Sequence, residues 1–286
     1  PGPWPTATAC WNCSRATRDL CAILLPDSGH LQEEEARYAN RKGYSKHHPA
    51  LPLYTRSDAQ QALRSMQPVD FAHRIDLGAG ITFYLSPSGH ILGSSFVSLN
   101  ADGRLIVFSG DLGRPHDPIM RDPAIIEQAD YLVIDSTYGD RLHSRDDPVK
   151  ILGDVLNRTF LRGGVVVIPA FAVDRTQTLM HYIALLKAAG TIPKAVPVYL
   201  NSPMAASVTR IFHEHGAENR LTAEQCDAMC GTAQVINSVE ESERLNARSG
   251  PMVIISASGM ATGGRVVHHI KAFAPDPRNT ILFAGF

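Results

Sequence analysis

SPSGHILGS (86–94), FSGDLG (108–113) and DSTYG (135–139) follow one another within the run 86–139, and their reading decides the fold. Each is a short polar loop at the end of an apolar, alternating or β-branched segment. In GITFYLSPSGH the side chains of Ile81, Phe83 and Leu85 share one face, while RLIVFSGD and YLVIDS run from strand straight into aspartate. Strands that end this way bring His90, Asp111 and Asp135 to one sheet edge, where a hard or borderline cation could collect them. Plainer readings stand beside this one. His90 can be a structural histidine in a tight glycine turn, and Asp111 can cap the turn that follows it. Asp111 comes just after apolar strand residues, where an unpaired buried carboxylate is costly and asks for a metal or several donors. Three such loops in succession favour the joint, functional reading.

Bulk properties narrow the field. A chain of 286 residues can hold one large domain or two medium ones and bury a substantial core. The formal net charge of −1 gives no global basic field, so any nucleic-acid contact must come from local Arg or Lys, or from a metal. No stretch approaches the roughly 20 apolar residues of a membrane span, and none reads as a secretory leader, so no membrane partner is expected. Five cysteines, an odd number, suit a reducing compartment and a cytoplasmic location. Cys10-x-x-Cys13 has metal or redox spacing but lacks a second pair. Cys226 and Cys230 sit at i, i+4 on a predicted helix and read as packing thiols. His47-His48, His213-x-His215 and His268-His269 read as surface residues.

Taken in order, residues 1–14 show no period and read as irregular. A helix is predicted from Arg15 and ends at Pro26. A charged, solvated helix and loop then covers 30–49. A short helix over 55–66 takes Ser57 or Asp58 as its cap. Strands are predicted at 71–77, 81–86, 94–99, 104–109 and 131–135, with a hairpin turn at Asn100–Gly103. Beyond Tyr138 helices alternate with continuously apolar strands: a helix through Val149, Leu152, Leu156 and Phe160, strand 163–169, a helix opened by a capping box at Asp174–Gln177, and strand 196–200. Ser202-Pro203 then starts a helix to Gly216 as N-cap and N1 proline. AQVIN, a charged helix, strand 251–256, a glycine-rich loop, helix 265–273 and TILFAGF follow. This rhythm predicts a three-layer parallel α/β unit from about 148 to 279. Ligands of such sheets bind at the carboxyl ends of the strands. The loops there, PAFAVDRTQ, LNSPMA and SASGMATGGR, are rich in small residues, hydroxyls and arginine, as a phosphate-facing wall would be. SASGMATGGR precedes a helix N-terminus, which favours an anion, but it is neither a dinucleotide fingerprint nor a Walker loop. Its plain reading is a turn needed for close packing, and Arg175 can face a phosphate or solvent.

SPSGHILGS, FSGDLG, DSTYGDR, IPAFAVDRTQTL, YLNSPMA and SASGMATGGRVVHH together, and in this order, resemble the β-CASP branch of metallo-β-lactamase-fold nucleases. That branch includes RNase J-like enzymes and the endonuclease of eukaryotic pre-mRNA cleavage and polyadenylation. The resemblance implies an α/β fold class: a partial metallo-β-lactamase αββα sandwich over 1–147, a β-CASP domain over 148–279, and a return strand at 280–286. It implies that His90 and Asp111 are zinc ligands, with Asp111 bridging two ions, and that Asp135 is the acidic residue next to them, orienting a histidine. Arg175, Ser202, Ser258, Thr262 and Arg265 become the candidates for cradling single-stranded RNA. A second copy of the chain is a candidate partner. The family's H-x-H-x-D-H motif, expected before ATRDL, is absent from residues 1–15, and its later histidines would follow FAGF. The expectation is therefore a fragment of a metal-dependent exo- or endonuclease that does not hold two metals tightly by itself. A non-catalytic RNA-binding subunit and a small-molecule metallo-hydrolase are the alternatives.

Overall fold

The computed structural model describes residues 11–142 and 144–284. The chain divides into two compact units, 1–115 with 122–135, and 116–121 with 136–286. The first unit starts with strand β1 (Trp11–Ser14), whose last residue is also the N-cap of helix α1 (Arg15–Lys42). The part of the irregular start that is described is thus a strand, pairing parallel with β2 (Met66–Val69). Between them α1 packs against α2 (Arg56–Arg64). Proline does not end α1, which runs 28 residues with Pro26 inside it. An interior proline removes one helical hydrogen bond and costs about 3 kcal/mol. The side chains on the following turns offset it by tying the helix to the segment before α2. Gln32 Oε1 accepts from Leu53 N, Glu33 Oε2 from Arg56 N, and Asn40 exchanges two bonds with Ala50. The cap of α2 is Thr55, in a capping box with Asp58 at the third position, rather than Ser57 or Asp58.

A five-stranded sheet follows, in the order β3 (Ile75–Gly78), β4 (Ile81–Pro87), β5 (Ser95–Ala101), β6 (Arg104–Phe108), β7 (Tyr131–Val133). Its first four strands are antiparallel, and β7 joins β6 in parallel. The predicted hairpin turn joins β5 to β6. Phe83 and Leu85 of β4 pack with Val69 of β2, so the two-stranded sheet lies over the larger one.

The second unit has a parallel sheet in the order β10-β9-β11-β8-β12. Its elements are α3 (Pro148–Leu161), β8 (Val165–Pro169), α4 (Arg175–Ala188), β9 (Val198–Asn201), α5 (Pro203–Glu214), α6 (Ala223–Cys230), β10 (Gln234–Val235), α7 (Val239–Asn246), β11 (Met252–Ser256), α8 (Arg265–Phe273) and β12 (Thr280–Ile281). Every residue of the central strands β8 and β11 is buried, as expected of strands covered on both faces. Val165, Val167, Tyr199 and Ile254 pack with Leu245 of α7 and with Val266 and Phe273 of α8. Of the expected return strand 280–286, residues 280–281 pair with β8 in this sheet, and 285–286 lie outside the described residues. The segment 116–121 also belongs here: Met120 bridges Asn219, and Arg220 N donates to Ile119 O. The expected capping box at Asp174 is absent. Asp174 has φ 67° and ψ −65° and makes no side-chain cap bond, while Gln177 Nε2 donates to Ala172 O and Thr209 Oγ1.

One polar cluster crosses this interior. Asn201, at the end of β9, is buried, and its Oδ1 accepts from Arg265 Nη1 at 2.8 Å. That bond fixes the amide, so Nδ2 donates to Ser242 Oγ and to His269 Nε2, both at 2.6 Å. With Nε2 accepting, His269 Nδ1 carries the proton and donates to Asn246 Oδ1 at 2.6 Å. His269 is fully buried, contrary to the surface reading. Its pKa is lowered to about 4, first by loss of solvent and then by the charges of His268 and Arg265.

Two outcomes follow from these features. Pro26→Ala restores the amide donor facing Ala22 O and raises the stability of the first unit by up to about 3 kcal/mol, read as a rise in its urea midpoint. Because His269 binds a proton less readily folded than unfolded, stability is full above its unfolded pKa near 6.5. It falls as pH drops from there towards about 4, by on the order of 3 kcal/mol. Urea melts of the second unit at pH 7 and pH 4.5 check this, and His269→Gln flattens that slope.

Candidate metal edge and phosphate wall

The first unit's site is built from two loops pressed backbone to backbone. Gly113 N donates to Ser88 O at 2.9 Å, and Ser88 Oγ donates to the backbone oxygen of Asp111 at 3.0 Å. A β-carbon at 113 would lie 2.0 Å from the Gly89 carbonyl carbon, so only glycine lets the loops meet. Ser94 Oγ accepts from His90 N and Ile91 N at 3.1 Å each and donates to Ile91 O. The turn is anchored below, where Gly93 O accepts from Ser14 Oγ and Thr17 Oγ1 at the start of α1.

This framework sets His90 Nε2 3.8 Å from Asp111 Oδ2. Asp135, just past β7, accepts from Leu112 N through Oδ2 at 3.3 Å and donates its own N–H to Ser109 Oγ at 2.8 Å. The loops after β4, β6 and β7 thus converge on one edge. The burial argument for Asp111 fails, however, because its side chain is 78% exposed and carries no desolvation cost that a cation must offset. Proximity to His90 is what remains. Among the described residues no group of three His, Cys, Asp or Glu is placed to hold a metal ion. His90 Nε2 and Asp111 Oδ2 fit two positions of a zinc shell, which usually has four ligands. The described residues alone do not complete one.

The expected phosphate wall lies at the carboxyl edge of the second unit's sheet, and its residues divide. Ser202 is buried and its hydroxyl accepts from Ala205 N, capping α5. Arg265 turns inward, donating to Asn201 Oδ1 and to the carbonyls of Ile236 and Asn237. Both side chains are engaged in hydrogen bonds within the second unit. Thr262 is exposed, and Ser258 and Arg175 are half-buried. Sequence reading missed the residues behind this wall, Asn201 and His269; the asparagine directly before the Ser-Pro cap was the available signal. Cys226, with its thiol pushed up to about 11 by burial, and Cys230 are free packing residues on α6, as expected. Cys10 lies outside the described residues. No described helix is long and apolar enough to cross a membrane.

Residues 176–286 match the family model of the Beta-Casp domain. Over 281 residues the chain is 35% identical to Ribonuclease TTHA0252 of Thermus thermophilus, covering 96% of this chain and 60% of that protein. It is 30% identical over 297 residues to Transcription termination factor FttA of Methanocaldococcus jannaschii, and 30% identical over 287 residues to its namesake from Methanosarcina mazei. Each of these two matches covers 96% of this chain and 43% of the relative. The chain thus spans about half the length of the curated relatives it matches. Residues 176–286 thus carry a Beta-Casp domain.

Proposed function

We propose that this chain belongs to a metal-dependent nuclease that hydrolyses phosphodiester bonds of single-stranded RNA. The observation that carries the reading is the edge where His90 Nε2 and Asp111 Oδ2 stand 3.8 Å apart beside Asp135, in a chain similar to a protein named as a ribonuclease. A pair of zinc ions bound there, with further ligands from outside the described residues, would supply an activated water and positive charge for the scissile phosphate. His90 and Asp111 are the ligands this edge offers. Asp135 holds the Asp111 loop through Leu112 N, which makes it a positioning residue. Arg175, Ser258 and Thr262 are the candidates for the RNA backbone, whose contacts position the strand without reading its sequence. A cytoplasmic location follows from the same reading, because the free thiols suit a reducing compartment. A non-catalytic RNA-binding subunit is the second reading, favoured by the incomplete ligand set among the described residues.

Cleavage of single-stranded RNA with added zinc separates the two, measured on this chain extended to the length of its relatives. Wild type cleaves and Asp111→Ala does not; intact RNA with wild type favours the non-catalytic reading. Asp135→Asn lowers the rate by about 10- to 100-fold, as loss of a group that orients a metal ligand does. Gly113→Ala, which touches no substrate, forces the Ser88 and Asp111 loops apart and lowers cleavage while RNA affinity stays unchanged.

A further inference from the structure

Phe171 stands just past the carboxyl end of β8, and 55% of it is exposed although the strand and Ala170 before it are wholly buried. Its position is tightly held. Ala170 N donates to Ser256 O at 3.0 Å, and Phe171 O accepts from Thr176 N at 3.2 Å and Thr176 Oγ1 at 2.7 Å. The neighbouring loop after β11 approaches the ring closely at Gly259. A β-carbon at Gly259 would come 2.8 Å from Phe171 Cδ2, 3.0 Å from Cε2 and 2.9 Å from Phe171 N, closer than carbon atoms pack. Peptide therefore backs one part of the aromatic group, and solvent reaches the rest. Met260, next along the same loop, is 70% exposed.

An aromatic ring held rigid and wet at the carboxyl edge of a parallel sheet suits a ligand with a flat apolar face. The same rim carries Arg175, whose guanidinium has no hydrogen-bond or ion-pair partner among the described residues, with the hydroxyls of Ser258 and Thr262. These groups match phosphate. Asn201, a carboxamide at this edge, is buried with both amide donors and its Oδ1 already engaged.

We propose that Phe171 is a stacking platform for a nucleobase of single-stranded RNA, with Met260 on its apolar border. This rests on the RNA reading above and names one contact within it. Because every base has a π-face, such a platform adds grip without sequence preference.

The test is fluorescence anisotropy on the full 286-residue chain. The probes are a labelled short oligoadenylate RNA and an abasic ribose-phosphate oligomer of equal length. Phe171→Leu, which keeps apolar bulk at a half-exposed position, weakens oligoadenylate binding about tenfold or more. Phe171→Trp retains binding, and the abasic oligomer binds wild type and Phe171→Leu alike. Equal affinity of wild type and Phe171→Leu for oligoadenylate overturns the platform and leaves the RNA reading standing. An equal loss on both oligomers also overturns it, since the loss would not depend on bases. No binding of either oligomer by wild type overturns the platform and the RNA reading together.

Discussion

A single buried carboxamide holds the carboxyl edge of the parallel sheet together. Asn201 ends β9, and its side chain takes one bond from Arg265 at the start of α8 and gives one each to Ser242 on α7 and His269 on α8. Its backbone oxygen accepts from Ser256 Oγ at the end of β11. Every donor and acceptor of the side chain is engaged. A buried network of this kind is worth having only when complete, because each group left unpaired costs about 1–3 kcal/mol. The loops of the edge are therefore fixed by hydrogen bonds beneath them, and the groups above them are not needed to hold the loops in place.

That arrangement explains why part of the candidate site was legible in the sequence and part was not. Strand, loop and helix follow period and turn chemistry, so β4, β5, β6, β8 and β11 fall close to where alternation and apolar runs put them. The helix starts at Pro203 and Arg265 fall at their predicted places too. Arg265 and Ser202 have the residue types of a phosphate wall, yet they face inward. Which way an arginine turns depends on a partner 64 residues away, and no local spacing carries that information. His269 was misread for the same reason: a His-His pair at a helix surface looks solvated until Asn201 and Asn246 are found on either side of the ring.

The opposite error occurred in α1. Local chemistry predicts a stop at Pro26, and the helix passes through it because polar side chains beyond the proline reach carbonyls and amides of residues 50–56. The glutamates and glutamine that made this stretch look merely solvated include the groups that anchor it. Strand β1 was unreadable because WNCS has no alternation; its identity comes from pairing with β2, 55 residues on. Tertiary pairing decides both cases.

At the other edge, His90 and Asp111 contribute little to their own placement. Two exposed opposite charges about 4 Å apart attract by only about 1 kcal/mol in water, and only while the histidine is protonated. The loops are held instead by Gly113 N on Ser88 O, by Ser88 Oγ on the Asp111 carbonyl, and by Asp135 on Leu112 N. None of these bonds uses the imidazole of His90 or the carboxylate of Asp111. Because backbone contacts present the pair, the imidazole nitrogen and the carboxylate oxygens keep their lone pairs for a cation. The same exposure limits what the pair can do alone, since water competes for each donor and two ligands leave half of a tetrahedral shell unfilled. On the proposed reading this edge is a preorganised half-site, whose affinity for a metal would depend on what completes it.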